Sequence, residues 1–330
     1  MNKKIVFIAD FFVDQISGGG ELNNEELIDM LKGKKYNVEK IQSHFVDRQF
    51  LERNRKSFFI ISNFLGIKHH LREHLCDYDY IIYEHDHKYI KERDPATHFK
   101  FQAPPTSIVN YFFYKHALAV LCQSTFHQNI LELNLNIDNV INLSGNLWSL
   151  GSLEKMRDIA RKPKKDRYSI MDSKINHKNT IGAISYCNDK KCEYELIQDP
   201  NYFSFLEKLG SNKRFVFLPK TPETLSRVIV EARMMGNIVL TNGLVGAVEE
   251  TWFQLKGEEL IDHMIAKRED ILLTIEGLIK DLDEKSRPLV SMITTFCDGG
   301  DFLEGFMENI TNQTIFSKCE LIIVDANSLG

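Results

Sequence analysis

Residues 214–250 read RFVFLPKTPETLSRVIVEARMMGNIVLTNGLVGAVEE. Phe215-Val216-Phe217-Leu218 is a short apolar run closed by Pro219, the pattern of a buried parallel strand. Thr221-Pro222-Glu223 then carries helix-start chemistry: a threonine that can cap, a proline tolerated at the first helical position, and a carboxylate favoured at the positive end of the helix dipole. The helix is expected to run through Val228, Ile229 and Ala232 and to stop at Gly236. A second apolar run, Ile238-Val239-Leu240, and a loop with Gly243 and Gly246 complete a strand–helix–strand unit of an α/β sheet. In such sheets ligands lie beyond the carboxyl ends of the strands.

Two carboxylates mark the unit. If Glu223 and Glu231 share the helix, eight positions amount to about 12 Å of rise, and both can face one side. They could then hold two ends of one ligand; the bland alternative is a solvated amphipathic face. Together with Pro219, Ser226, Ala232, Gly236, Val239, Gly246 and Glu249, the pair resembles the donor-binding segment of retaining glycosyltransferases of family 4. That resemblance implies the GT-B fold, an α/β architecture of two Rossmann-like domains facing across a cleft. It also implies roles. Glu223 would contact the donor sugar near the reacting centre, Glu231 the ribose hydroxyls, and main-chain N–H groups around Leu225 and Ser226 the diphosphate.

Outside that stretch, Lys4–Ala9 reads as a strand and Gly18-Gly19-Gly20 leads into a helix that Gly33 stops. A glycine-rich turn lets backbone amides approach an anion. Neither the dinucleotide fingerprint nor the P-loop motif is satisfied. By the resemblance, Gly18, Gly19 and Gly20 sit at the interdomain cleft near the donor phosphates. Tyr36–Ile41 and Asp79–Tyr83 are further strands. Glu84-His85-Asp86-His87-Lys88 follows the latter at its carboxyl end, where His85 or His87 would supply hydrogen bonds or a proton relay. An H-x-H pair without a further ligand cluster does not make a metal site, so no metal is expected. Residues 109–116 read as a helix, 117–122 as a strand, and Ser124 as the cap of the next helix. Val140–Leu143 closes this half.

Domain boundaries follow. Residues 1–150 form an amino-terminal, acceptor-side domain, and 151–178 a linker with the helix 152–161 and the basic run 161–167. That run reads as solvated, with a peripheral contact to an anionic membrane surface as its second reading. Residues 179–255 form a trimmed donor-binding domain whose first strand is expected at Thr180–Ser185, and 256–287 a carboxy-terminal helix and linker. The family carries Gly-Arg at the first strand of this domain and a lysine shortly after, both on the diphosphate. Here Gly182-Ala183 lacks the arginine, Lys190 or Lys191 matches the lysine, and Arg227 or Lys220 is left to supply the missing charge. The stretch 191–215 is also short for the family. Residues 288–330, with strands at 290–296 and 321–325 around a helix, resemble the first βαβ unit of a family 2 (GT-A) glycosyltransferase. They suggest the front of a second enzyme in a longer polypeptide.

Composition sets outer bounds. The chain has 330 residues, 43% hydrophobic and 26% charged, with a net charge of −5, which argues against nucleic acid as a partner. No apolar run reaches membrane-spanning length, and the amino terminus lacks the features of a signal peptide. The six cysteines form no C-x2-C pair, so reduced thiols in a cytoplasmic enzyme are expected; that the enzyme serves polysaccharide biosynthesis is implied by the resemblance alone. The expected activity is transfer of a sugar from a UDP- or GDP-sugar to a glycan, lipid-linked or protein acceptor, retaining and without a metal or other cofactor. A GT-B nucleotide-sugar epimerase and a non-catalytic sugar-binding or assembly domain are the alternatives.

Overall fold

The structure is a computed structural model, and it describes residues 3–16, 18–285, 290–296, 300–313 and 319–325. The chain divides into two units, Met1–Leu273 and Thr274–Gly330. The first holds two lobes.

The first lobe alternates strand and helix: β1 (Ile5–Ala9), α1 (Gly19–Gly33), β2 (Val38–Gln42), α2 (Arg48–Arg53), β3 (Phe58–Ile61), α3 (His69–Leu75), β4 (Tyr80–Tyr83), α4 (Tyr111–Lys115), β5 (Ala119–Cys122), α5 (Thr125–Leu135) and β6 (Val140–Asn142). Its sheet is parallel in the order β2-β1-β3-β4-β5-β6. The four inner strands are buried at every position. Helices on both faces of a parallel sheet demand such continuous apolar strands. The order reverses between β1 and β3, and the crevice at such a switch point is where these folds bind ligands.

Helix α6 (Leu150–Ala160) leads to the second lobe: β7 (Lys165–Met171), α7 (Thr180–Asp189), β8 (Tyr194–Ile197), α8 (Tyr202–Gly210), β9 (Asn212–Phe217), α9 (Arg227–Met234) and β10 (Ile238–Thr241). Its sheet is parallel, β10-β9-β7-β8, with the switch between β7 and β9. Helix α10 (Glu258–Lys285) follows. It buries Leu260, Ile261 and Met264, and its Arg268 pairs at 2.5 Å with Glu26 of α1, returning the chain to the first lobe.

Three expectations are corrected here. Residues 151–178 are not a linker: they contain α6 and the inner strand β7. The basic run 161–167 is therefore folded and partnered, with Lys164 donating to Gly210 O and Arg167 pairing with Glu195. Thr180–Ser185 is helix, not strand. Asn179 turns left-handed (φ 55°), its side chain accepts from Gly182 N, and Ala183 and Cys187 point inward at i, i+4 while Ile181 faces solvent. Finally, Thr221 and Pro222 do not start a helix. α9 begins at Arg227 after a left-handed Ser226 (φ 72°), because Glu223 is held in an extended parallel bridge to Val245. Glu223 N donates to Leu244 O (2.8 Å) and Gly246 N to Glu223 O (2.9 Å). Glu223 and Glu231 thus do not share a helix.

The second unit carries β11 (Val290–Phe296), α11 (Gly300–Thr311) and β12 (Cys319–Asp325). The strands pair in parallel from Val290↔Cys319 to Phe296↔Asp325, so the βαβ reading of this stretch holds at the level of secondary structure. Residues 286–289, at the end of the linker and the start of the 288–330 stretch, and residues 326–330 lie outside the described residues. Among the described residues no helix is long and apolar enough to cross a membrane.

Candidate functional site

A cleft of about 510 Å³ opens between the two lobes of the first unit. On one side stand Gly18, Gly19 and Gly20, where β1 turns into α1, with His85 after β4. On the other stand Lys178, from the loop after β7, and Glu223, from the loop after β9, together with Ser226, Arg227 and Glu231 around α9. These are the loops that flank both switch points, so topology alone brings the groups together.

The glycines permit close approach. A Cβ on Gly19 would lie 3.0 Å from Arg227 Cδ, across the cleft. Arg227 donates from one terminal nitrogen to Leu147 O (2.6 Å), and its guanidinium lies 4.5 Å over the Trp148 ring. Its Nε, 3.6 Å from Glu231 Oε1, is buried without a hydrogen-bond partner. So are two other polar atoms of cleft residues, Ser226 Oγ and Asn146 Oδ1. A buried polar group without a partner costs on the order of 1–3 kcal/mol. All three belong to residues that line one cleft, beside the first N–H groups of α9.

Glu231 is 3% exposed. Its Oε1 accepts from Trp148 Nε1 (2.9 Å) and from Tyr202 OH (2.7 Å). These two aromatic donors fix the carboxylate at the cleft wall. Tyr202 and Phe205 of α8 and Met171 of β7 add an apolar part to that wall. Glu223 Oε1 is paired with Lys178 Nζ at 2.8 Å.

The two histidines do different things. His85 Nε2 lies 2.7 Å from Asn24 Oδ1, and Asn24 Nδ2 donates to Ser62 Oγ (2.8 Å), which fixes the amide's orientation. Its Nδ1 faces Gln123 Nε2, which also donates to Glu84 O (3.1 Å), while Gln123 Oε1 accepts from Thr224 Oγ1 (3.2 Å). His85 is therefore the Nε2–H tautomer with both nitrogens engaged. Burial, and then the Lys88 charge, push its pKa down to about 3. A neutral imidazole with both nitrogens engaged ties the loop after β4 to Asn24 and Gln123. His87 is buried, with Nδ1 on Tyr89 OH (2.8 Å) and Nε2 facing Pro222 O (3.4 Å) across the lobes. Burial pushes its pKa to about 4.

Behind them the Lys88 ammonium, wholly buried, pairs with Glu84 at 2.5 Å and Asp86 at 3.3 Å. Burial opposes its charge, but Asp86 and Glu84 outweigh burial and raise its pKa. Among the described residues no three His, Cys, Asp or Glu side chains gather as a metal site.

The remaining expected residues fall as follows. Leu225 packs its side chain in the core between the cleft residues Thr224 and Ser226. Lys190 and Lys191 end α7 and do not line the cleft; Lys220 bonds to Asn176 Oδ1 (3.0 Å). The lysine that faces the cleft is Lys178. It was missed because the first strand of the lobe had been placed at Thr180 instead of Lys165. With β7 ending at Met171, the residues after it are Asp172-Ser173, and Lys178 is the cation that follows.

No family profile matches the chain, and no curated protein matches it in sequence. Solved structures do. The catalytic domain of starch synthase IV from Arabidopsis thaliana, bound to ADP and acarbose, superposes with a TM-score of 0.50 at 9% identity, over 96% of this chain and 99% of that one. Anabaena Alr3699/HepE with UDP and glucose gives 0.48 at 11% identity, over 86% and 99%. A glycosyltransferase from Rickettsia africae ESF-5 gives 0.45 at 12%, over 86% and 92%. The chain has the α/β GT-B architecture, two Rossmann-like lobes facing across a cleft.

Proposed function

We propose that the chain is a nucleotide-sugar-dependent glycosyltransferase whose donor lies in this cleft. The observation that carries the reading is the gathering of Ser226 and Arg227, at the start of α9, with Lys178, from the loop after β7, on one cleft. A diphosphate there would meet helix N–H groups, the Arg227 guanidinium and the Lys178 ammonium, all able to bind anionic oxygens. Glu231, already held by Trp148 and Tyr202, is placed to accept from ribose hydroxyls, with the base against Tyr202 and Phe205. The sugar would then reach Glu223, His85 and the Gly18–Gly20 turn.

The leaving diphosphate gains negative charge as the glycosidic bond breaks, so fixed donors aimed at it lower the barrier. Two cations and a helix N-terminus can supply this without a metal. Retention of configuration is the outcome the family 4 resemblance implies. In this reading residues 1–150 present the acceptor and the second lobe holds the donor. Starch synthase IV, which shares the fold, was captured with ADP and acarbose, and a nucleoside diphosphate with a glycan is the ligand pair expected here. The setting we infer is polysaccharide assembly in the cytoplasm; the basic run that suggested a membrane contact is folded into the second lobe.

The test is a thermal-shift and hydrolysis screen against UDP-, GDP-, ADP- and CMP-sugars, with Arg227→Ala as control. Ligand binding raises the melting temperature. One nucleotide sugar is expected to stabilise the chain and to be slowly hydrolysed, and the variant to lose both. A chain that neither binds nor hydrolyses any of them is not a transferase.

A further inference from the structure

Beyond the Lys178–Glu223 pair, the same two lobes enclose a second cavity of about 590 Å³. It shares His85, Lys178, Glu223 and Thr224 with the first. A sugar held at that pair can therefore be approached from either cavity. The far walls are the loop from Asp86 to Asp94 in the first lobe and Asn176, His177 and Thr221 in the second. Thr221 Oγ1 donates to Asp94 Oδ2 (3.0 Å), joining the two walls.

The lining has an unusual balance. Pro222 is the one lining residue without a polar side-chain atom, beside the imidazoles of His85, His87 and His177. The two cations lining it are engaged already, Arg93 with Asp86 and Lys178 with Glu223. Two lining carboxylates have no such cation. Glu92 faces a histidine, His98, at 3.6 Å, and Asp94 accepts from Thr221 and from Ala96 N (3.0 Å). An anionic guest would meet Glu92 and Asp94 with no uncommitted cation to offset them. Hydroxyl donors would find carboxylate acceptors, the stronger kind of hydrogen bond.

We propose that this second cavity is the acceptor subsite and that it takes an uncharged, hydroxyl-rich saccharide. The inference rests on the transferase reading of the first cavity. In the step itself the bond between the donor's anomeric carbon and the diphosphate oxygen breaks, with its electron pair leaving on that oxygen. A bond forms from the anomeric carbon to the acceptor hydroxyl oxygen, and the hydroxyl proton passes to the departing diphosphate. Glycoside and nucleoside diphosphate are the products, and no redox partner is required.

The test measures nucleotide release from the donor that stabilises the chain, with three acceptor sets: neutral trisaccharides (maltotriose, cellotriose, mannotriose, chitotriose), trigalacturonate, and octyl and phenyl alcohols. Neutral trisaccharides are expected to raise release at least tenfold over hydrolysis and the other two sets to leave it at the hydrolysis rate. Glu92→Lys is expected to move the kcat/KM ratio of trigalacturonate to neutral sugar up about tenfold. Faster release with trigalacturonate or with the alcohols, or no response to neutral sugars while the donor still binds, overturns this inference alone. Absence of donor binding overturns it together with the reading beneath it. An unchanged ratio in Glu92→Lys removes the charge argument.

Discussion

Lys178 Nζ and Glu223 Oε1 stand 2.8 Å apart at the meeting of two cavities, with side chains only 24% and 15% exposed. They come from the loops after β7 and β9, the neighbouring strands between which the second sheet reverses its order. A cation and an anion so placed can serve opposite ends of one bond: the ammonium turned to the leaving phosphate, the carboxylate to the sugar. Lys178→Ala is then expected to lower kcat/KM by about a hundredfold, or ~2.7 kcal/mol of transition-state stabilisation. Glu223→Gln is expected to lower turnover more than donor affinity. Steady-state kinetics beside donor titration separates the two. Equal losses in kcat and affinity for Glu223→Gln would reduce it to a binding contact.

Gly19 faces Arg227 across the cleft, and a Cβ there would come within 3.0 Å of Arg227 Cδ. Gly19→Val is expected to displace the guanidinium from its seat over Trp148. The thermal shift produced by the donor should fall by at least half, and the ligand-free melting temperature by roughly 2–6 °C, since Leu147 O and the Trp148 ring lose the guanidinium. A full donor shift in this variant would remove Arg227 from the diphosphate site.

How far these residues were legible beforehand depends on what fixed them. Glu231, Ser226 and the Gly18–Gly20 turn are singled out by the family 4 resemblance, and Arg227 is one of two candidates for the missing charge; all of them line the cleft. The inner strands β1, β4, β5 and β9 and the edge strand β10 are legible as short apolar runs. Nothing was assigned to β3, and β7 was taken for a basic linker. Its outer half is charged (Lys165, Asp166, Arg167), and only Ser169 and Ile170 are buried. That displaced strand hid Lys178. The geometry of Glu223 was misread because Pro222 favours both helix starts and extended chain; here the bridge to Val245, a long-range contact, decided. His85 and His87 looked equivalent in sequence and are separated only by tertiary partners, Asn24 and Gln123 for one, Tyr89 and Pro222 for the other.

Burial of neutral imidazoles makes stability depend on pH. His87 is pushed down to about 4 and His127 well below its usual value, both by desolvation first. Their folded pKa values lie below the unfolded value near 6.5, so below that pH the unfolded chain binds more protons than the folded one. Stability from these groups is complete above about pH 6.5 and is lost as pH falls toward 4. The slope for two protons approaches ~2.7 kcal/mol per pH unit. Denaturant melts at pH 7.5, 6, 5 and 4.5 should show a steepening loss, reduced in His127→Gln. A flat profile over that range would mean that neither imidazole is buried neutral.

Glu250 reaches from the second lobe to the start of α5 in the first. Its Oε1 accepts from Thr125 N (2.6 Å), its Oε2 from the Ser144 hydroxyl, and Trp252 Nε1 donates to Ser144 O (2.9 Å) beside it. A carboxylate at a helix N-terminus is stabilising by ~0.3–1 kcal/mol, and up to ~2 when partly buried. This one is 7% exposed. Glu250→Ala also strands the Thr125 N–H and the Ser144 hydroxyl, so a loss of about 2–3 kcal/mol is expected. At ~2–4 °C per kcal/mol for a domain of this size, the melting temperature should fall by roughly 4–12 °C. Next to it, Gly246 meets Ser124 Oγ and Thr224 O, each 2.3 Å from where a Cβ would sit. The second of these is backbone of the same lobe and cannot swing aside, so Gly246→Ala has to shift the Thr224 segment, which lines the cleft and accepts from Ser124 of the first lobe. It should therefore weaken donor binding as well as stability, whereas Glu250→Ala, which removes bulk, should lower stability with a smaller effect on the donor. Thermal melts with and without donor compare the two variants, and equal donor shifts in both would show that the position of the Thr224 segment does not govern the cleft.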